Sequence, residues 1–236
     1  GAMEGMTSVS KPAQTFFSQD GQSYYSLGYK YVRQYTYDLV LFRSEIPSGK
    51  TTQMTLLHDA YVPYSAHTHY LVRHNHLFYV INHQGHSEGK LMNLNTGKSQ
   101  NISLPDLTSQ VAASRGNLCL VDFTFHPNDS SSIELTYYRY GSVPQRKVNI
   151  AIEQLDSRTN RISTVKSYEY ASKIKTLQDQ KNGQKYLIVY RQAFLTLYKW
   201  DPQSMKWKIS HERIKYPREA KHCFKLPSET KIYMYA

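Results

Sequence analysis

Asp156-Ser157-Arg158-Thr159-Asn160-Arg161-Ile162 and Asp201-Pro202-Gln203-Ser204-Met205-Lys206-Trp207 decide the reading of this chain. Each has an Asp, a hydroxyl residue three positions on, a basic residue two further, and then a large apolar side chain. An apolar run precedes each, over 148–155 and 194–200. The carboxylate suits an Asx-type turn, the hydroxyl ties the turn backbone, and the cation sits at a solvated tip. Ser48-Gly49-Lys50 and Thr96-Gly97-Lys98 are shorter versions, and in the second Gly97 supplies the positive φ that a residue with a Cβ resists.

The hydroxyl anchors at 48, 96, 159 and 204 are spaced by 48, 63 and 45 residues. Propeller blades repeat at roughly 40–50 residues, with insertions in loops. The long interval calls for an extended loop, for which 127–132 or 141–146 would serve. Four such turns and an apolar terminal run at 231–235 predict about five blades. The ring would close if strands around 16–25 completed the last one. The expected fold is therefore all-β, a propeller-like repeat of antiparallel blades that is complete or partial. An irregular β-sandwich or barrel is the alternative.

Alternation supports strands throughout. From 25 to 41 the odd positions carry Tyr25, Leu27, Tyr29, Tyr31, Tyr35, Tyr37, Leu39 and Leu41, with Arg33 the interruption. A period of two with one apolar face marks a half-buried strand, and the length demands a turn or bulge near Gly28 or Arg33. Further strands are predicted at 77–82, 118–125, 133–140, 147–154, 185–191, 194–200 and 231–235, separated by Gly, Asn and Pro signals. Only 106–114 and 169–178 leave room for a short helix.

The run Leu197-Tyr198-Lys199-Trp200-Asp201-Pro202-Gln203-Ser204-Met205-Lys206-Trp207 resembles the blades of kelch-like and F-box-associated β-propellers. Those blades carry an apolar strand, an Asp-x-x-Thr-x-Lys-Trp-like turn and an outer strand. The resemblance spans about residues 25–236 and implies a propeller architecture. The paired glycines of kelch blades and the Gly-His…Trp-Asp signature of WD repeats are absent, so it implies no more than that.

Composition narrows the classes. Gly1-Ala2-Met3 reads as a tag scar and residues 1–15 as a flexible lead-in, leaving 16–236 as one all-β domain. Tyr is abundant at 21 residues, as suits half-buried sheet. No run of about 18 apolar residues is present, so no membrane span is expected. Cys119 and Cys223 sit among apolar neighbours and read as buried thiols of a reducing compartment, hence an intracellular setting, cytoplasmic or nuclear. The net charge is +11, and residues 106–236 hold 21 Lys/Arg against 12 Asp/Glu. A basic half favours an acidic protein or peptide, or a nucleic acid, as partner.

The same segment supplies candidate binding residues: Lys206, Trp207, Lys208, Arg213, Lys215, Tyr216, Arg218 and Lys221. Cations interleaved with aromatics can follow phosphates and stack bases, although an outer strand whose cations discourage edge pairing reads the same way. Six histidines crowd 67–86, and His67, His69, His74 and His76 are candidate metal ligands or acid–base groups for RNA cleavage. No nucleophile elbow, phosphate-cradling Gly loop or Cys-x-x-Cys pair is present, and acidic residues are sparse in the predicted strands. The expectation is thus a non-enzymatic recognition domain for an acidic partner, with no cofactor. An RNA- or single-strand-binding protein is the alternative, and a His-dependent metalloprotein or ribonuclease the second.

Overall fold

A computed structural model describes residues 14–34, 36–61, 70–83, 86–104, 117–142, 148–168, 171, 173–215, 222–225 and 232–235. All regular structure among them is β-strand. The chain forms two compact units, residues 1–108 and 109–236.

The first unit holds two four-stranded antiparallel sheets, each an up-and-down meander in sequence order. One comprises β1 (Gln14–Phe17), β2 (Ser23–Arg33), β3 (Thr36–Glu45) and β4 (Thr51–Tyr61); the other β5 (Tyr70–Arg73), β6 (His76–His83), β7 (His86–Asn93) and β8 (Ser99–Ile102). The long alternating run divides where its length demanded, with a turn just after Arg33 and a register shift between Tyr31 and Arg33. Leu27, Leu39 and Leu41 pack against Leu77, Tyr79 and Met92, so period-two faces from both sheets make one core.

The second unit repeats the pattern. β9 (Asn117–His126), β10 (Asp129–Ser142), β11 (Val148–Asp156) and β12 (Arg161–Tyr168) form one meander. β13 (Lys173–Gln178), β14 (Lys185–Tyr190), β15 (Phe194–Asp201) and β16 (Lys206–Lys215) form the next, and β17 (His222–Lys225) pairs with β18 (Ile232–Tyr235). Ile150, Ile152 and Tyr168 meet Leu187, Tyr198, Trp200 and Trp207 in the core between the two larger sheets. Trp200 and Trp207 cross edge-to-face at 5.0 Å, and Trp207 Nε1 donates to Thr136 Oγ1 at 2.8 Å. The two sheets are thus joined by a buried hydrogen bond as well as by apolar packing. Lys185 Nζ adds a further link, 2.6 Å from Asp122 Oδ2 and 4.9 Å from the Trp200 ring centre.

Four four-stranded antiparallel sheets thus follow one another along the chain, and no described sheet closes into a barrel. The repeated turn falls at the same place in each, between the third and fourth strands. The reason is backbone geometry. The fifth residue of each turn has positive φ: Gly49 (71°), Gly97 (69°), Asn160 (56°) and Met205 (54°). In three of the four an Asx oxygen at the first position accepts the amide two residues on, as Asn93 does from Asn95 at 2.9 Å and Asp156 from Arg158 at 2.9 Å, while the first turn opens on Glu45.

One expectation needs correction. Residues 173–178, given to a possible helix, are strand β13, because Ile174, Thr176 and Leu177 pair with β14. The 106–114 segment lies outside the described residues. No helix long and apolar enough to cross a membrane occurs among the described residues.

Candidate metal centre

Three neighbouring strands of the second unit bring together one imidazole and two carboxylates. His126 ends β9, Glu134 lies in β10, and Asp156 ends β11. Glu134 and Asp156 are direct cross-strand partners, so antiparallel register fixes two like charges side by side. Such pairs are destabilising unless a cation or proton offsets them. The β9–β10 hairpin carries a register irregularity between Asp129 and Ile133. Asn128, with φ 67°, turns the chain there and returns it beside His126.

His126 Nε2 lies 3.1 Å from Asp156 Oδ1 and 3.5 Å from Glu134 Oε2. Its side chain is 3% exposed, against 8% for Glu134 and 20% for Asp156. One ligand atom from each residue falls within 4.8 Å of the other two. Nevertheless Nε2 makes no hydrogen bond. Buried polar atoms are nearly always bonded, and an exception calls for a physical cause.

The carboxylates are held from behind. Gln154 Nε2 donates to Glu134 Oε1 at 3.3 Å and to the Met205 carbonyl at 3.1 Å, while Gln154 Oε1 accepts the Trp207 amide at 3.3 Å. One buried amide therefore orients Glu134 and pins it to the β15–β16 turn. Asp156 Oδ1 accepts from the amides of Arg158 and Thr159 at 2.9 and 3.3 Å. The repeated turn and the cluster thus share a carboxylate.

The environments drive the two acids apart. Burial first, and then the charge of Asp156, push Glu134 from 4.5 up to about 7, against the opposing pull of Lys206, Gln154 and Arg158. Burial acts upward on Asp156 as well, but the Arg158 amide, the His126 ring and the Thr159 amide outweigh it, and its pKa is lowered.

Above the cluster opens a cleft of about 580 Å³ between the tips of the β9–β10, β11–β12 and β15–β16 hairpins. Arg158, Arg161 and Lys206 stand on its wall, with Thr159 and Ser204.

Of the residues singled out in the sequence, Lys206, Trp207, Lys208, Arg213 and Lys215 lie on β16. Lys206 reaches the cleft. Trp207 is buried in the core, Lys208 Nζ pairs with Asp201 Oδ2 at 2.6 Å, and the Arg213 guanidinium lies 4.8 Å from the Phe194 ring centre. Tyr216, Arg218 and Lys221 are outside the described residues, as are His67 and His69. His74 and His76 occupy the β5–β6 turn, where His76 Nδ1 is 2.8 Å from the His74 carbonyl. Among the described residues, the ligand cluster is formed elsewhere, at His126, Glu134 and Asp156.

That cluster overturns the expectation of a recognition domain without catalytic machinery. A buried imidazole facing paired carboxylates at the base of a cleft forms a ligand set that could hold a metal ion. Its three members are 8 and 22 residues apart and fit no contiguous motif. In the sequence the denser histidines at 67–86 outweigh the single His126, and Asp156 reads as a turn opener. The one available signal was a histidine beside a turn, followed by an acidic residue within the next predicted strand.

The sequence matches no protein-family profile and no curated protein. Among solved structures it is similar to the β-propeller domain of the Trilobed protease from Pyrococcus furiosus, at 10% identity and TM-score 0.40, covering 86% of this chain and 58% of that one. An oligogalacturonate lyase in complex with manganese gives 10% and 0.48, covering 95% and 62%. An ACO/RPE65 chimera gives 14% and 0.49, covering 96% and 56%. The chain thus spans less than two thirds of the length of each. At these identities and scores the likeness assigns no activity to this chain.

Proposed function

We propose that this protein is a metal-dependent enzyme whose divalent cation is held by His126 Nε2, Glu134 and Asp156. The observation that carries the proposal is the buried His126 Nε2, which makes no hydrogen bond while facing two carboxylate oxygens. Metal–ligand bonds of about 2.0–2.2 Å set ligand atoms about 3–3.5 Å apart around one ion. The 3.1 and 3.5 Å separations are of that size. A divalent ion also neutralises the cross-strand acid pair, which sequence register would otherwise leave as a cost.

Imidazole with two carboxylates suits zinc or manganese. Three protein ligands leave further positions open to water or substrate, the arrangement of catalytic rather than structural sites. A bound ion of this kind supplies an acidified water and polarises a substrate oxygen. The protein's own part is to fix the ligands through Gln154 and the Asp156 turn, and to confine the reaction to the cleft. For the scaffold, the succession of sequence-ordered meanders supports a propeller-like array over 16–236, with β17–β18 as a partial blade.

Calorimetric titration of chelator-treated, untagged protein with Mn2+ or Zn2+ tests the reading. One ion per chain is expected, and His126→Ala, Glu134→Gln and Asp156→Asn should each abolish that binding. Absence of saturable binding to the wild-type chain overturns the proposal.

A further inference from the structure

The metal-bearing cleft has a second chemical character, set by its wall. Arg158, Arg161 and Lys206 line it together with the two carboxylates. The site therefore carries surplus positive charge even before an ion enters, and a divalent ion raises the surplus to three. Arg158 is partly committed, with Nη2 3.3 Å from Asp156 Oδ2. Among the described residues, Arg161 and Lys206 have no carboxylate within salt-bridge range, and both are exposed. They open the strands that follow the two repeated turns, at equivalent places in neighbouring sheets. Two adjacent blades thus offer one cation each to the same space.

We propose that this cleft binds a phosphate monoester, with one phosphoryl oxygen at the metal and the others at Arg161 and Lys206; the proposal rests on the metal-site reading. Three separated positive centres suit a phosphoryl group, whose three non-bridging oxygens can meet all of them. A carboxylate has two oxygens and leaves one centre unanswered. Arg161 brings a planar fork that matches adjacent phosphoryl oxygens, whereas Lys206 acts as a point charge. Thr159, at one of the two turn tips, adds a neutral hydroxyl beside these cations, whereas the Ser204 hydroxyl is already donated to Asp201 Oδ2 at 2.9 Å. In the first unit the turn-tip cations Lys50 and Lys98 are exposed. Only here do two such cations converge over an acidic floor, among the described residues.

The test uses the full chain loaded with Mn2+, titrated with phenyl phosphate and, separately, with benzoate. Phenyl phosphate should bind, with benzoate weaker by roughly tenfold or more, the scale of one lost charge-assisted hydrogen bond. Arg161→Ala and Lys206→Ala should each weaken phenyl phosphate by a similar factor while still taking up one Mn2+. Lys98→Ala, at the matching turn of another sheet, should bind as the parent does. If Mn2+ binds but phenyl phosphate does not, or if the Arg161/Lys206 double variant binds it undiminished, the ligand class is wrong and the metal site stands. If benzoate binds as well as phenyl phosphate, the phosphate assignment likewise falls. Failure to bind Mn2+ removes both proposals together.

Discussion

Asp156 does two jobs with one carboxylate: Oδ1 caps the turn amides and faces His126. Asp156→Asn keeps an oxygen for the cap but removes the charge, so it should abolish metal binding while sparing most of the stability. Thermal melts paired with metal titration check both halves. Thr136 tests the joint between sheets. Thr136→Val leaves the buried Trp207 Nε1–H without an acceptor and should destabilise by about 1–3 kcal/mol in urea unfolding. Asp201 sets an acid limit. Lys208, Ser204 and the Gln203 amide hold it at about 2, below its ordinary 3.8. A depressed carboxyl pKa stabilises the fold above the unfolded value and loses that contribution as pH falls from 3.8 toward 2. Asp201→Asn should therefore flatten stability against pH across that window, and an unchanged slope would show the carboxylate to be idle.

The repeated turn is the element that sequence made legible. Anchors at 48, 96, 159 and 204 mark the same third-to-fourth-strand hairpin of four successive sheets, and the uneven middle interval spans the long β9–β10 hairpin. A fifth copy, at Asp179 between β13 and β14, lacks the hydroxyl-and-cation signature. It has Asn182 in place of the hydroxyl and Gln184 in place of the cation, yet Gly183 takes φ 71° and Lys181 donates its amide to Asp179 Oδ1 at 2.9 Å. The feature common to all five copies is therefore the left-handed residue at the fifth position; an Asx residue opens four of them, and Glu45 the remaining one. Gly97→Ala probes this directly. Its Cβ would meet Met54 Cε at an ordinary 3.6 Å, so the cost is conformational, about 1–2 kcal/mol. The metal cluster was not legible because it depends on register. Nothing in the sequence states that Glu134 lies opposite Asp156, or that the hairpin at Asn128 brings His126 back to both. Residue spacing can reveal a turn, whose parts are local, but not a site whose members meet across strands.

At the scale of the whole molecule, the sheets follow a single repeated plan, while the basic charge and the ligand cluster belong to the second unit. If residues 16–236 are one propeller-like domain, scanning calorimetry should give one transition whose calorimetric and van't Hoff enthalpies agree. Two separable transitions, following residues 1–108 and 109–236, would contradict that. Metal should raise the midpoint with the logarithm of its free concentration above the dissociation constant. The most direct test of the central claim is an anomalous-difference map from crystals grown with Mn2+. The expected result is one strong peak bonded to His126 Nε2, Glu134 and Asp156 at about 2.0–2.3 Å. A map empty there, or a peak among the histidines of 67–86 instead, would contradict it.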